Sequence, residues 1–181
     1  MNQIKLQMDF EIPEDLIGVY QRSSTDLFIG YDAPLSMTEA KKALERYQRT
    51  KLFGGVERLC IMKIYKGETL IGFSLPRIVN ESEYKGMKIE SGTDWYRLGT
   101  IFIDKPYRGK GVITEVVKLF QEIYPNICWQ CEIANKVSFN SAIKAGFKFS
   151  HYLWFNNEGS QWSFEEQLDK PHQYCVLKIG R

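Results

Sequence analysis

The sequence predicts a mixed α/β (α+β) fold, a mostly antiparallel central sheet with one parallel β-α-β unit and flanking helices. Three observations carry that prediction. Apolar residues recur at helical spacing early in the chain, switch to strand-like runs from residue 58, and then alternate between the two periods. The resulting element order is β-α-α-β-β-β-α-β-α-β-β, too mixed for an all-α or all-β architecture. Finally, the apolar run at 95–103 passes through a Gly-containing turn into a helix and then another apolar run. That sequence of elements predicts a right-handed parallel crossover. At 181 residues, a single domain spanning 1–181 is expected.

Each element follows from its local pattern. IKLQMDF at 4–10 alternates like a first strand. Pro13-Glu14-Asp15 opens a helix, with proline early and acids in the first turn. After the loop STDLFIGYDAPL, Ser36-Met37-Thr38-Glu39 forms a capping box for a second helix reaching Thr50. Its Ala40, Ala43, Leu44 and Tyr47 share one face. RLCIMKIY at 58–65, the turn Lys66-Gly67-Glu68 and TLIGFSLPRIV make an antiparallel hairpin, with Pro76 marking a strand end or bulge. The polar segment at 80–93 reads as a loop or extended hairpin tip, and WYRLGTIFI at 95–103 as one strand. VITEVVKLFQEIY is a helix, ICWQCEIA a strand, and VSFNSAIKA a helix closed by Gly146. FKFSHYLWF and QYCVLKI complete the sheet on either side of a polar excursion at 156–172.

Composition narrows the function classes. Hydrophobic residues at 44%, aromatics at 14% and charged residues at 25% are those of a soluble globular protein. A formal charge of +2 gives no sign of a nucleic-acid partner, although it leaves a local basic patch open. MNQIKLQMDF lacks the unbroken apolar run of a signal peptide, and no stretch reaches membrane-spanning length. A reduced, cytoplasmic protein, monomeric or homodimeric and without a membrane partner, is the expectation. Cys128 and Cys131 form a CxxC, but they fall in a strand, where residues three apart point to opposite faces. With no second CxxC and only His151 and His172 elsewhere, they read as structural thiols, and no metal is expected.

The chemistry concentrates in IFIDKPYRGKGVI at 101–113. A strand, a glycine turn and a helix start turn successive backbone N–H groups into one concavity at the positive end of a helix dipole. Arg108 and Lys110 add charge beside it. A diphosphate fits such a cradle.

The same residues resemble the acyl-CoA motif of the GNAT acetyltransferase superfamily, whose members move an acetyl group from acetyl-CoA to an amine. That motif is an Arg or Gln, two residues, a Gly, one residue, then Gly or Ala. Arg108, Gly111 and Ile113 occupy those places, so the last small residue is replaced. NKVSFNSAIKAGF resembles the family's second motif through Asn135, Ser138 and Gly146-Phe147, in a pattern similar to ribosomal-protein-type N-acetyltransferases.

The resemblance implies acetyl-CoA as donor substrate and an amine on a protein, small molecule or nucleic-acid-linked group as acceptor. It assigns the pyrophosphate to the backbone of Arg108, Gly109, Lys110, Gly111, Val112 and Ile113. The pantetheine arm falls to Ile101, Phe102, Ile103 and Asn135, with Ser138 beside it. Many relatives place a tyrosine acid where this chain has Ala142; Ser138 is the candidate substitute, as in relatives that lack the tyrosine. Their strand carboxylate is missing from 96–100; Glu132 on the neighbouring strand is the candidate base, and Glu90 and Asp94 just upstream could equally hold a water. Tyr31 and Asp32 fall where relatives shape the acceptor site. Two alternatives stand beside this reading: a nucleic-acid- or aminoacyl-tRNA-modifying enzyme of the same fold, and a non-catalytic acyl-CoA-binding module.

Overall fold

A computed structural model describes residues 3–9, 12–24, 33–49, 61–79, 81, 84, 87–90, 92–156, 161–163 and 173–180. Its elements are β1 (Ile4–Asp9), α1 (Glu14–Ser23), α2 (Met37–Arg49), β2 (Ile61–Lys66), β3 (Thr69–Ser74), β4 (Arg77–Ile78) and β5 (Tyr96–Arg97). They continue with β6 (Phe102–Ile103), α3 (Val112–Ile123), β7 (Ile127–Glu132), α4 (Lys136–Lys144), β8 (Lys148–Asn156), β9 (Gln161–Ser163) and β10 (Gln173–Ile179). No helix among the described residues is long and apolar enough to cross a membrane.

The strands form two ladders, β1-β2-β3-β6 and β4-β5-β7-β10-β8-β9. Every pairing is antiparallel except β5 with β7, the expected crossover around α3. Residues of alternate parity on β2 face different helices, and a register shift that leaves Ile71 unpaired brings Ile71 and Phe73 of β3 to opposite faces. Ile61 and Phe73 pack with Leu16, Tyr20 and Leu44 of α1 and α2, while Met62, Ile64 and Ile71 pack with Val116, Val117 and Phe120 of α3. On β7, Ile127, Trp129 and Cys131 join the α3 side, and Cys128 joins a separate cluster with Val79, Met87, Ile89, Leu153 and Val176. The two CxxC thiols therefore lie on opposite faces, as strand geometry requires.

The capping box at α2 forms in full. Ser36 N and Oγ donate to Glu39 Oε2 at 2.8 and 2.7 Å, and Glu39 N donates to Ser36 Oγ at 3.3 Å. The Ser36 hydroxyl and backbone N–H, with Lys42 nearby, hold the Glu39 carboxyl below the usual carboxylate range, against a small opposing effect of burial. Replacing Ser36 by Ala should lower the melting temperature by about 2–4 °C at pH 7. A carboxyl whose folded pKa is lowered stabilises above its unfolded pKa of 4.5 and loses that contribution as pH falls through the folded value. Thermal melts at pH 7 and pH 3 should therefore show the gap between wild type and variant narrowing in acid; an equal gap at both would assign the effect elsewhere.

Two sequence expectations change. WYRLGTIFI is not one strand but β5 and β6, in different ladders. From Arg97 to Phe102 the chain takes five steps, while its partners from Arg77 back to Phe73 take four. The extra residue is a bulge, and Thr100 within it has φ 31°, in the left-handed region that a threonine adopts only under tertiary constraint. The second change falls at 80–93, expected as a loop: Glu81, Tyr84 and Met87, among the residues described there, are helical, and Met87 and Ile89 bury into the Val176 cluster. Their apolar contacts outweigh the polar composition that suggested a loop. β9, inside the expected polar excursion, is a further strand that the sequence pattern did not show.

Candidate active site at the fork between β6 and β7

The bulge opens a fork. Tyr96 N donates to Asn126 O and Leu98 N to Cys128 O, so β5 and β7 are joined up to Leu98. Beyond the bulge the alternation has shifted by one residue. Asp104 N donates to Ile71 O, so Phe102 and Asp104 direct their backbone groups to β3, and those of Ile101 and Ile103 face the β7 side. Among the described residues β6 has no strand partner on that side. The expected backbone partners of a pantetheine arm thus narrow to Ile101 and Ile103. Phe102 is committed to β3, its ring stacked on Phe73 at 5.2 Å and tilted against Tyr20 at 5.9 Å.

The chain then turns through Asp104, whose side chain holds the turn from two directions. Its Oδ1 accepts from Lys105 N at 2.9 Å, and its Oδ2 accepts from Arg22 Nε at 3.0 Å and Nη2 at 2.7 Å. A charge-assisted pair of this kind ties α1 to the start of the turn. Arg108 Nε donates to Ile103 O at 2.6 Å and Lys110 Nζ to Pro106 O at 2.8 Å. Both cations are therefore held against the turn.

Gly109 and Gly111 have φ 72° and 77°, which glycine adopts without steric cost. A Cβ at either would meet nothing within 4 Å, so the space in front of both is open. Gly111 caps α3 with no side chain covering the helix start. The N–H groups of Gly111, Val112, Ile113 and Thr114 find no acceptor among the described residues; the first helical bond runs from Glu115 N to Gly111 O at 3.2 Å. Unpaired amides at the positive end of a three-turn helix form an anion site. Ile113, which departs from the small residue of the resemblance, packs against the main core cluster.

On the other tine, Asn135 caps α4, its Oδ1 accepting from Ser138 N at 2.9 Å. Ser138 Oγ accepts from Trp129 Nε1 at 3.0 Å, beside the Cys131 thiol. Burial pushes that thiol up to about 11, Cys175 adding to the shift and the Ser138 hydroxyl opposing it. Such a thiol is protonated at neutral pH and a poor nucleophile. Glu132 is half-buried at the end of β7, and Ala142 is fully buried on the inner face of α4. His151 is buried in β8 beside Ser150 Oγ at 2.8 Å. Tyr31 and Asp32 lie outside the described residues. Sequence reasoning missed Asp104 and Gln130, although an aspartate before Lys-Pro is a capping signal and a glutamine inside ICWQC is a polar residue in an apolar strand.

Against solved structures, the chain superposes over 98% of its length, and 94% of the other, on an acetyltransferase of the GNAT family from Bacillus anthracis (TM-score 0.61, 12% identity). The fold is that of the GNAT acetyltransferases. NAA60 of Arabidopsis thaliana, solved in complex with acetyl-CoA, shares this GNAT fold over 99% of this chain and 100% of its own (TM-score 0.58, 18% identity). The ribosomal-protein-S18-alanine N-acetyltransferase of Escherichia coli matches over 98% and 93% (TM-score 0.52, 8% identity). Neither a protein-family model nor a curated protein matches the sequence. The GNAT likeness is therefore one of three-dimensional arrangement.

Proposed function

We propose that the chain is an acetyl-CoA-dependent N-acetyltransferase that passes the acetyl group directly to an amine in a ternary complex. The observation that carries this reading is the joining of two features in a single stretch of chain. Free amides at the start of α3 suit a diphosphate, and the unpaired edge of β6 leads from them into a fork that suits an extended arm. The GNAT fold, shared with a protein solved with acetyl-CoA, supports the same donor.

In this reading the amides of Gly111 to Thr114 hold the pyrophosphate, with the anchored charges of Arg108 and Lys110 beside them. Ile101 and the N–H of Ile103, whose carbonyl already accepts from Arg108, pair with the pantetheine amides, and an N–H at the fork polarises the thioester carbonyl. The amine attacks that carbonyl, the C–N bond forms, the C–S bond breaks, and the thiolate leaves as coenzyme A. Glu132 takes the ammonium proton directly or through a water; the second N–H proton, lost as the amide forms, reaches the departing thiolate through Ser138, whose hydroxyl gives up one proton and regains the other. The high pKa of Cys131 argues against an acetyl-cysteine relay at that thiol and for direct transfer.

Titration with acetyl-CoA followed by a thiol-release assay over a panel of amines tests the proposal. Binding and turnover support it, binding without turnover indicates an acyl-CoA-binding module, and absence of binding refutes it. Glu132→Gln and Ser138→Ala should each lower kcat by about 10²-fold or more with acetyl-CoA affinity kept. A variant with wild-type kcat removes that residue from the mechanism.

A further inference from the structure

Gln130 is the first residue on its face of β7 beyond the last contact with β5, the bond from Leu98 N to Cys128 O. Its side-chain Nε2 is buried and has no hydrogen-bond partner among the described residues. Amides in that state are rare, because a buried donor loses its water and gains nothing in return. The surroundings explain why no partner arises within the fold. Across the ladder Gln130 faces Val176, a fully buried aliphatic residue, and two residues earlier on the same face stands the buried Cys128. On the other flank β5 has already ended, and the fork begins.

The face matters as much as the position. Trp129 and Cys131, on the reverse of β7, are covered by α3 and α4. A second substrate therefore reaches the fork from the face that carries Gln130 and Glu132. Resting on the acetyltransferase reading, we infer that Gln130 is a substrate-contacting residue whose side-chain N–H donates to a carbonyl-type oxygen at the reacting centre. That oxygen belongs either to the acetyl group or to the acceptor, next to its amine. The residue acts as a hydrogen-bond donor and transfers no proton, since an amide has none to give at neutral pH.

The test uses the full chain and two substitutions, Gln130→Leu, which removes the polar group, and Gln130→Glu, which keeps the size and loses the donor. Acetyl-CoA and coenzyme A are titrated into each, and kcat/KM is measured with an amine the wild type acetylates. A loss of about tenfold in acetyl-CoA affinity with coenzyme A unchanged assigns the oxygen to the acetyl group. Unchanged donor affinities with a tenfold fall in acceptor kcat/KM assign it to the acceptor. Either result supports the inference, and melting temperatures equal to or above wild type for Gln130→Leu exclude a purely structural role. Donor affinities and kcat/KM all within twofold of wild type overturn it. Should the wild type bind neither acetyl-CoA nor coenzyme A, the acetyltransferase reading itself fails and takes this inference with it; wild-type binding with unaffected variants sinks the Gln130 role alone.

Discussion

Gly111→Asp weakens acetyl-CoA binding by at least about tenfold while the protein stays folded, measured by calorimetric titration beside a thermal melt. Gly111 sits at φ 77°, and aspartate is among the few residues that enter the left-handed region at modest cost, about 1 kcal/mol. A Cβ there meets no protein atom within 4 Å, so the side chain has room and the core is undisturbed. The new carboxylate stands at the mouth of the free amides, where it competes for the same N–H groups and repels the diphosphate. Gly111→Asn separates the two effects, because it is nearly the same size without the charge; it should bind acetyl-CoA more tightly than the Asp variant. Equal affinity of wild type and Gly111→Asp would mean that the diphosphate lies elsewhere.

Phe120→Ala should cost about 3–5 kcal/mol of stability, a fall of about 6–20 °C in melting temperature for a chain of this length. Phe120 is fully buried in the C-terminal half of α3, its ring 4.7 Å from that of Tyr124, and it shares the main core cluster with Met62, Ile64 and Ile71 of β2 and β3 and with Ile127 and Trp129 of β7. Truncation leaves a void at the contact that seats α3 on both ladders. Because α3 also carries the amides at its start, Phe120→Leu, which refills most of the volume, should recover most of the loss. A fall of less than 3 °C for Phe120→Ala would show that α3 is held mainly by other contacts.

The parts of the fold legible in the sequence are those determined by local chemistry. Ser36 and Glu39 cap α2 because a serine and a glutamate three apart satisfy each other's backbone donors. The helix start at Val112 follows from glycines that alone accept φ above 70° at low cost. Cys128 and Cys131 separate onto two faces because a strand has period two. The illegible parts depend on distant partners. Nothing in WYRLGTIFI announces that Thr100 takes positive φ; that arises because β3–β4 on one side and β7 on the other demand different registers. The fork, and with it the importance of Gln130, follows from that mismatch. Arg22, 82 residues from Asp104, likewise had no sequence signal as the anchor of the turn.

The most direct measurement is the backbone amide spectrum of the labelled protein, followed by NMR as acetyl-CoA is added. The largest shifts are expected at Gly111, Val112, Ile113 and Thr114, with smaller ones at Ile101 and Ile103. Saturable binding that leaves those four amides unmoved while shifting others would contradict that expectation.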